Sequence, residues 1–289
     1  MDALALIEAE LTGAMLRAEA NGAPPKLAAG MRHAVFPRGA RVRPRLTLAV
    51  AAACGIGEIA PALAAGAALE LLHCASLVHD DLPCFDDAAI RRGKPSVHAA
   101  YGEPIAVLAG DALIVLAFQT LAYGCVADPM RLGPLMLICA QAVGMPSGIV
   151  AGQAWESEPQ IDVARYQRAK TSALFAGATM AGAAAAGQLT DPWRALGEAL
   201  GDAYQVADDL CDAAGSVAES GKAPGRDVAK QRPSAVAERG IEGALDYLDQ
   251  LADAAAAAIP LCPGRAGLQA LMIQEAKRLV PKSLARVAA

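Results

Sequence analysis

The chain has 289 residues, 30 of them acidic and 25 basic for a net charge of −5, and it is 55% hydrophobic with only 4% aromatics. That charge, with no basic stripe, excludes nucleic acid as the expected partner. The positive mean hydropathy of +0.32 comes largely from alanine, and Glu70, Asp80 and Asp111 interrupt the longer apolar stretches, so no membrane span is expected.

Runs of β-branched residues with period-two alternation are scarce, so the periodic segments read as helices. In chain order they cover about Ala3 to Ala20, Leu27 to Ala34, Arg43 to Ala53, Ala60 to Val78, Pro104 to Tyr123 and Pro129 to Val143. Further helices are expected over Val163 to Ala186, Asp191 to Ala213, Arg239 to Ala257 and Gly264 to Val280. Breaks fall at Asn21-Gly22-Ala23-Pro24-Pro25, at Gly102-Glu103-Pro104 and in the loop from Gly221 to Pro233, which is suited to closing over a bound ligand. No Pro/Gly/Ser-rich linker divides the chain, and residues 1–289 are expected to form one all-α domain. The start Met1-Asp2-Ala3-Leu4 lacks the basic region of a leader, and seven cysteines without metal-ligand spacing fit reduced thiols. A cytoplasmic location is the expectation.

Two acidic clusters lie in apolar helical surroundings, where carboxylates are costly unless cations meet them. In His79-Asp80-Asp81-Leu82-Pro83-Cys84-Phe85-Asp86-Asp87, the helix face of His73, Leu77 and Asp80 leads to a break at Pro83 that lets Asp86 and Asp87 curl back toward Asp80. In the second cluster, Gln205, Asp208, Asp209 and Asp212 fall at spacings of three and four and share one face. Both clusters offer hard oxygen donors, which suit magnesium bound through one or two carboxylates and the phosphates of a substrate. One Asp-Asp pair alone would read as a solvated helix end.

Cations accompany these acids: Arg91 and Arg92 before Gly93-Lys94-Pro95; Arg41, Arg43 and Arg45 around Pro44; Lys170 with Thr171; and Lys222, Lys230 and Arg232. Each alone reads as a solvated surface charge, and His73 alone as a satisfied core histidine. Together they describe a diphosphate held through magnesium so that it can leave as an anion. The sequence offers no Ser-His-Asp arrangement for covalent catalysis. Asp111, inside Leu108-Ala109-Gly110-Asp111-Ala112-Leu113, is expected to be a buried structural acid.

From Phe36 to Ser234 the chain resembles the trans-isoprenyl diphosphate synthases, the all-helical prenyltransferases of the polyprenyl synthetase family. The motifs that carry the resemblance are Gly39 to Pro44, the first acidic cluster with Arg91-Arg92-Gly93, Gly110-Asp111, Gly152-Gln153, Lys170-Thr171 and Tyr204 to Asp212. The nearest likeness is to the bacterial geranylgeranyl diphosphate synthases of carotenoid and bacteriochlorophyll pathways. The resemblance implies a single-domain helical bundle of the isoprenoid synthase type with a central cavity. It also implies a homodimer that condenses isopentenyl diphosphate with allylic diphosphates by magnesium-assisted ionisation.

The implied magnesium set is Asp80, Asp81, Asp86, Asp208, Asp209 and Asp212, with Asp81 and Asp87 standing behind the direct ligands. Arg91, Lys170 with Thr171, and Lys222 would hold the allylic diphosphate, and Arg43, His73 and Arg92 that of isopentenyl diphosphate. Gln205 would face the reacting allylic carbons. Product length would be set by Cys74, Ala75 and Ser76, one turn before Asp80. Farnesyl-producing bacterial relatives generally carry an aromatic residue at the position of Ala75, so geranylgeranyl diphosphate is favoured. Farnesyl diphosphate is the alternative product, and a noncatalytic prenyltransferase-like subunit or a class I terpene cyclase are alternative functions.

The chain departs from the family pattern in three places. Ala40 replaces an isopentenyl-binding lysine, leaving Arg38 or Arg41 to compensate. Arg232 and Ser234 stand for a lysine and a threonine. Glu156 follows Gly152-Gln153 where relatives often have aspartate.

Overall fold

Small residues at close helical spacing let helices approach on several sides at once, and the fold they build is all-α. The computed structural model describes residues 2–20, 22–36, 39–160, 163–213 and 234–279. Its helices are α1 (Ala3–Ala18), α2 (Pro25–Val35), α3 (Val42–Ala53), α4 (Ala60–Asp80), α5 (Val97–Tyr101), α6 (Glu103–Gly124), α7 (Leu132–Val143) and α8 (Ile149–Trp155). After these come α9 (Val163–Gln167), α10 (Ala173–Ala185), α11 (Arg194–Ala213), α12 (Ala235–Ala257) and α13 (Arg265–Leu279). A hairpin of β1 (Ile90–Arg91) and β2 (Lys94–Pro95) interrupts the helices.

Helix α4 is the centre of the core and packs on α3, α6 and α10. Leu69, Leu71 and Leu72 point to different sides of it, yet none is more than 1% exposed. Burying each stabilises the fold by about 2 kcal/mol. Glu70 interrupts no buried surface, because its carboxylate is 2% exposed and accepts a 2.7 Å hydrogen bond from Arg41 Nη1. This corrects the expectation of no membrane-length segment: α4 and α6 are both long and apolar enough to cross a bilayer. The apolar window of α4 is 78% buried and marks a core helix, whereas that of α6 is only 44% buried.

The segment expected as one helix over Val163 to Ala186 is split by a π-turn at Arg168–Ser172 between α9 and α10. Helix α12 starts at Ala235, capped by the Ser234 hydroxyl on Ala237 N at 3.1 Å, rather than near Arg239. The sequence suggests a later start because Gly240, with φ 68°, kinks the helix one turn in. All seven cysteines are free thiols.

Candidate active site

Helix α4 ends at Asp80, and the chain then folds back on itself. Asp86 N donates to Asp80 O at 2.9 Å, Asp87 N to Leu82 O at 3.1 Å and Ala88 N to Asp81 O at 3.1 Å. The curl expected from Pro83 therefore exists, with Asp87 at a left-handed φ of 46°. The Asp80 carboxylate accepts from Gln153 Nε2 at 2.9 Å and lies 3.5 Å from Arg91 Nη2 and 3.9 Å from Lys170 Nζ. Its neighbour Asp81 turns away, 2% exposed, and takes Arg91 Nε on both oxygens at 2.9 and 3.1 Å, with Nη2 closing the fork. Burial pushes the Asp81 pKa up while Arg91 opposes the rise. Asp81, assigned by resemblance to metal, is thus largely occupied by Arg91, which keeps other N–H donors for a phosphate.

Arg92 and Gly93, with φ of 51° and 75°, form the two-residue turn that joins β1 and β2. His33 Nε2 lies 2.7 Å from Pro95 O and His98 Nε2 lies 3.0 Å from Ala88 O, pinning both sides of the hairpin. The Arg92 guanidinium lies against Gly39, where a Cβ would come within 2.7 Å of it, so a larger residue there would push the guanidinium aside. Opposite are His73 and Arg43. His73 Nδ1 and Arg43 Nε are buried and have no hydrogen-bond partner among the described residues. Burial first, then the charges of Arg43, Arg92 and Arg91, hold the His73 pKa well below 6.5, so its ring is neutral. Burial also lowers the Arg43 pKa, against the pull of Glu70 and Asp208. Buried polar atoms are almost always satisfied, so an orphaned histidine nitrogen and an orphaned arginine nitrogen, with the charges of Arg92 and Arg91 also acting on the ring, mark a place suited to an anion.

Arg41 does not contribute to that pocket. A left-handed turn at φ 50° sends it into the core, 1% exposed. There it donates to Glu8 at 2.9 Å, Glu70 at 2.7 Å and Val35 O at 2.9 Å. It therefore cannot replace a lysine at position 40, where Ala40 is exposed. Arg38, Lys222, Lys230 and Arg232 lie outside the described residues.

The π-turn brings Lys170 and Thr171 between the two acidic clusters. Gly152 of α8 packs on that backbone so closely that a Cβ would meet Lys170 N at 2.5 Å. Lys170 Nζ is paired with Glu156, whose Oε1 also accepts from the Tyr166 hydroxyl at 2.7 Å. Thr171 donates to Gln205 Oε1 at 3.0 Å, and Gln205 Nε2 donates to Asp209 at 3.1 Å. Asp209 is 5% exposed and accepts Ala235 N at 2.7 Å, so it ties α11 to the start of α12. Asp208 is exposed, and Asp212 is half-buried one turn further on. The second acidic face therefore divides into an inward carboxylate that holds structure and two that face outward.

Asp80, Asp86, Asp208 and Asp212 present oxygen donors alone, the chemistry magnesium prefers. Among the described residues no three His, Cys, Asp or Glu side chains converge as a closed metal cage. An ion completed by the phosphates of its substrate fits that arrangement.

The three positions before Asp80 do not share a wall. Cys74 lines a cavity of about 40 Å³ beneath the hairpin, with His33, Leu77, Arg92 and Ser96. Burial pushes its thiol up to about 12. Ala75 is 1% exposed, and eleven residues earlier on the same helix face Ala64 abuts Gly124 of α6. Ser76 is half-buried, its hydroxyl donating to His73 O at 2.8 Å. Asp111, expected buried, is 61% exposed on α6, 3.8 Å from His79 Nε2. Sequence reasoning gave no site role to Gln153, Glu156, Tyr166 or Phe175. Gln153 and Glu156 were visible as polar residues beside Gly152, but Tyr166 and Phe175 carried no signal.

The polyprenyl synthetase family model matches residues 24–257. A Cereibacter sphaeroides protein named geranylgeranyl diphosphate synthase is 52% identical over 279 residues, 96% of this chain and 97% of the relative. Among solved structures, an FPP/GFPP synthase from Zymomonas mobilis aligns with a TM-score of 0.75 at 34% identity, covering 95% of this chain and 99% of that one. A geranyltransferase from Helicobacter pylori, complexed with magnesium and isoprenyl diphosphate, aligns with a TM-score of 0.77 at 28% identity, covering 96% and 98%. On sequence and fold alike, the chain belongs to the polyprenyl synthetase family.

Proposed function

We propose that the protein is a prenyltransferase that condenses isopentenyl diphosphate with an allylic diphosphate and makes geranylgeranyl diphosphate. The observation that carries this reading is the anion pocket of Arg43, His73 and Arg92, with its two orphaned buried nitrogens, beside the carboxylates and Lys170 of a second polar site. Two diphosphates need two such sites. The name of the Cereibacter sphaeroides relative supports the twenty-carbon product.

Asp80, Asp86, Asp208 and Asp212 would hold magnesium, with Asp81 and Asp209 orienting their surroundings, and Lys170, Arg91 and Lys222 would grip the allylic diphosphate. When bound, magnesium supplies positive charge that draws electrons toward the departing diphosphate. The allylic carbon–oxygen bond breaks with its electron pair on the diphosphate, and the double bond of isopentenyl diphosphate attacks the resulting cation. The released diphosphate then removes a proton. Arg43, Arg92 and the neutral His73 ring hold the attacking substrate, and Thr171 aims the Gln205 amide at the developing charge. Apolar helix walls exclude water, which would trap the cation as an alcohol.

Residues 1–289 act as one domain in this reading, and the free thiols suit the reducing cytoplasm. The apolar face of α6, with Leu108 51% and Val115 58% exposed, fits a homodimer.

The test is chain-length analysis of products from labelled isopentenyl diphosphate, magnesium and each allylic primer. The wild type should make twenty-carbon product, and Ala75→Phe should stop mainly at fifteen carbons, since a ring in that buried position fills the space of the fourth isoprene unit. No condensation with any primer would reject the activity, and an unchanged Ala75→Phe product would reject the chain-length role.

A further inference from the structure

We infer that Phe175 is a positioning residue for the isopentenyl diphosphate site, its ring holding the Arg43 guanidinium in place while leaving its charge and N–H donors available to the anion. Arg43 Cζ lies 4.7 Å from the centre of the Phe175 ring, within the range where a cation is attracted to an aromatic face. The ring is itself fixed, 2% exposed and stacked on Tyr204 with centroids 4.7 Å apart and planes tilted by 33°.

An aromatic ring attracts a guanidinium without offering it a lone pair, so the N–H donors stay free for an anion. The buried Arg43 Nε has no partner among the described residues, and the aromatic contact, rather than a carboxylate, stands against the side chain. This differs from Arg91, which Asp81 clamps, and from Arg41, which Glu8 and Glu70 clamp. A carboxylate clamp on Arg43 would neutralise the charge meant for phosphate, whereas an aromatic face orients the cation and leaves its charge available. Such orientation matters here because position 40 is alanine and offers no second cation.

The placement follows from the fold. Phe175 lies in the first turn of α10, five residues after Lys170 in the π-turn that leads into that helix. One short segment thus serves both substrates, sending Lys170 toward Asp80 and Phe175 beneath Arg43. Tyr204, which backs the ring, directly precedes Gln205.

The inference rests on the assignment of Arg43 to isopentenyl diphosphate, and a double-mutant cycle separates the two claims. KM for each substrate and kcat are measured for wild type, Phe175→Leu, Arg43→Ala and the double variant, with thermal unfolding recorded alongside. Phe175→Leu should raise KM for isopentenyl diphosphate about five- to tenfold, with kcat and the allylic KM changing less than twofold. In the Arg43→Ala background the same change should add less than twofold. If Phe175→Leu fails to fold, Phe175→Met, closer to the ring in volume, takes its place. An equal rise in both KM values, or the full rise persisting without Arg43, would overturn the role of Phe175. An unchanged isopentenyl KM in Arg43→Ala would overturn the site assignment beneath it.

Discussion

His73 shows how one side chain can record the purpose of its surroundings. A histidine beside Arg43, Arg92 and Arg91, with its Nδ1 buried and unpartnered among the described residues, is an expensive arrangement in the free protein. It makes sense where a diphosphate arrives to satisfy it. The same placement fixes a pH dependence. Folding lowers the His73 pKa, so between its ordinary 6.5 and the lower folded value the unfolded chain binds a proton that the folded chain does not. Stability therefore falls as pH drops through 6.5. Between pH 6.5 and 5.5 this one group should cost about 1 kcal/mol. Urea unfolding at both pH values should show the wild type losing that much more than His73→Asn. Equal losses in the two proteins would mean the ring is not held neutral.

At the scale of elements, the long helices were legible because their ends are marked. Pro61 and Pro104 sit in the first turns of α4 and α6, and the expected spans differ from those observed by one or two residues. The hairpin was not legible, since two residues per strand are too few to show a period. The π-turn was not legible either, because an inserted residue leaves the composition of a helix unchanged. Among the site residues, Asp80 and Lys170 were picked out by spacing and resemblance and lie 3.9 Å apart. Arg41 and Arg43 are two residues apart and chemically identical, and only the left-handed turn at Arg41 sends one inward. Asp208 and Asp209 pose the same problem. Asp209 holds α12 through Ala235 N, so Asp209→Ala should lower stability by about 1–3 kcal/mol. Asp208→Ala, at an exposed position, should cost less stability than Asp209→Ala and cut turnover by orders of magnitude. Denaturant unfolding beside steady-state kinetics separates the pair, and equal destabilisation by both would erase the distinction.

For the whole molecule, the unusual surface is that of α6 and α7. Leu108, Val115 and Tyr123 on α6 and Leu137 on α7 are each at least 51% exposed, on helices whose opposite faces are fully packed. Exposed apolar area of this kind marks a place where something binds. A lipid surface fits poorly, because Asp111, 61% exposed, lies between Leu108 and Val115 on that face, and a carboxylate in hydrocarbon is costly. A second copy of the chain fits better. A two-fold dimer on this face would set α6 against its own counterpart, where an isolated acid can reach solvent or a partner at the rim. Through its inner face α6 packs on α4, the helix that carries Ala75 and Asp80, so dimer contacts would brace the wall of the site. The protein should sediment at about twice its 29.4 kDa chain mass. Val115→Arg together with Leu137→Arg, which introduce repelling charges across a two-fold contact, should shift it to the monomer mass and lower activity. A double variant that keeps the dimer mass would put the interface elsewhere, and a wild type that sediments as a monomer while floating with lipid vesicles would assign the face to a membrane instead.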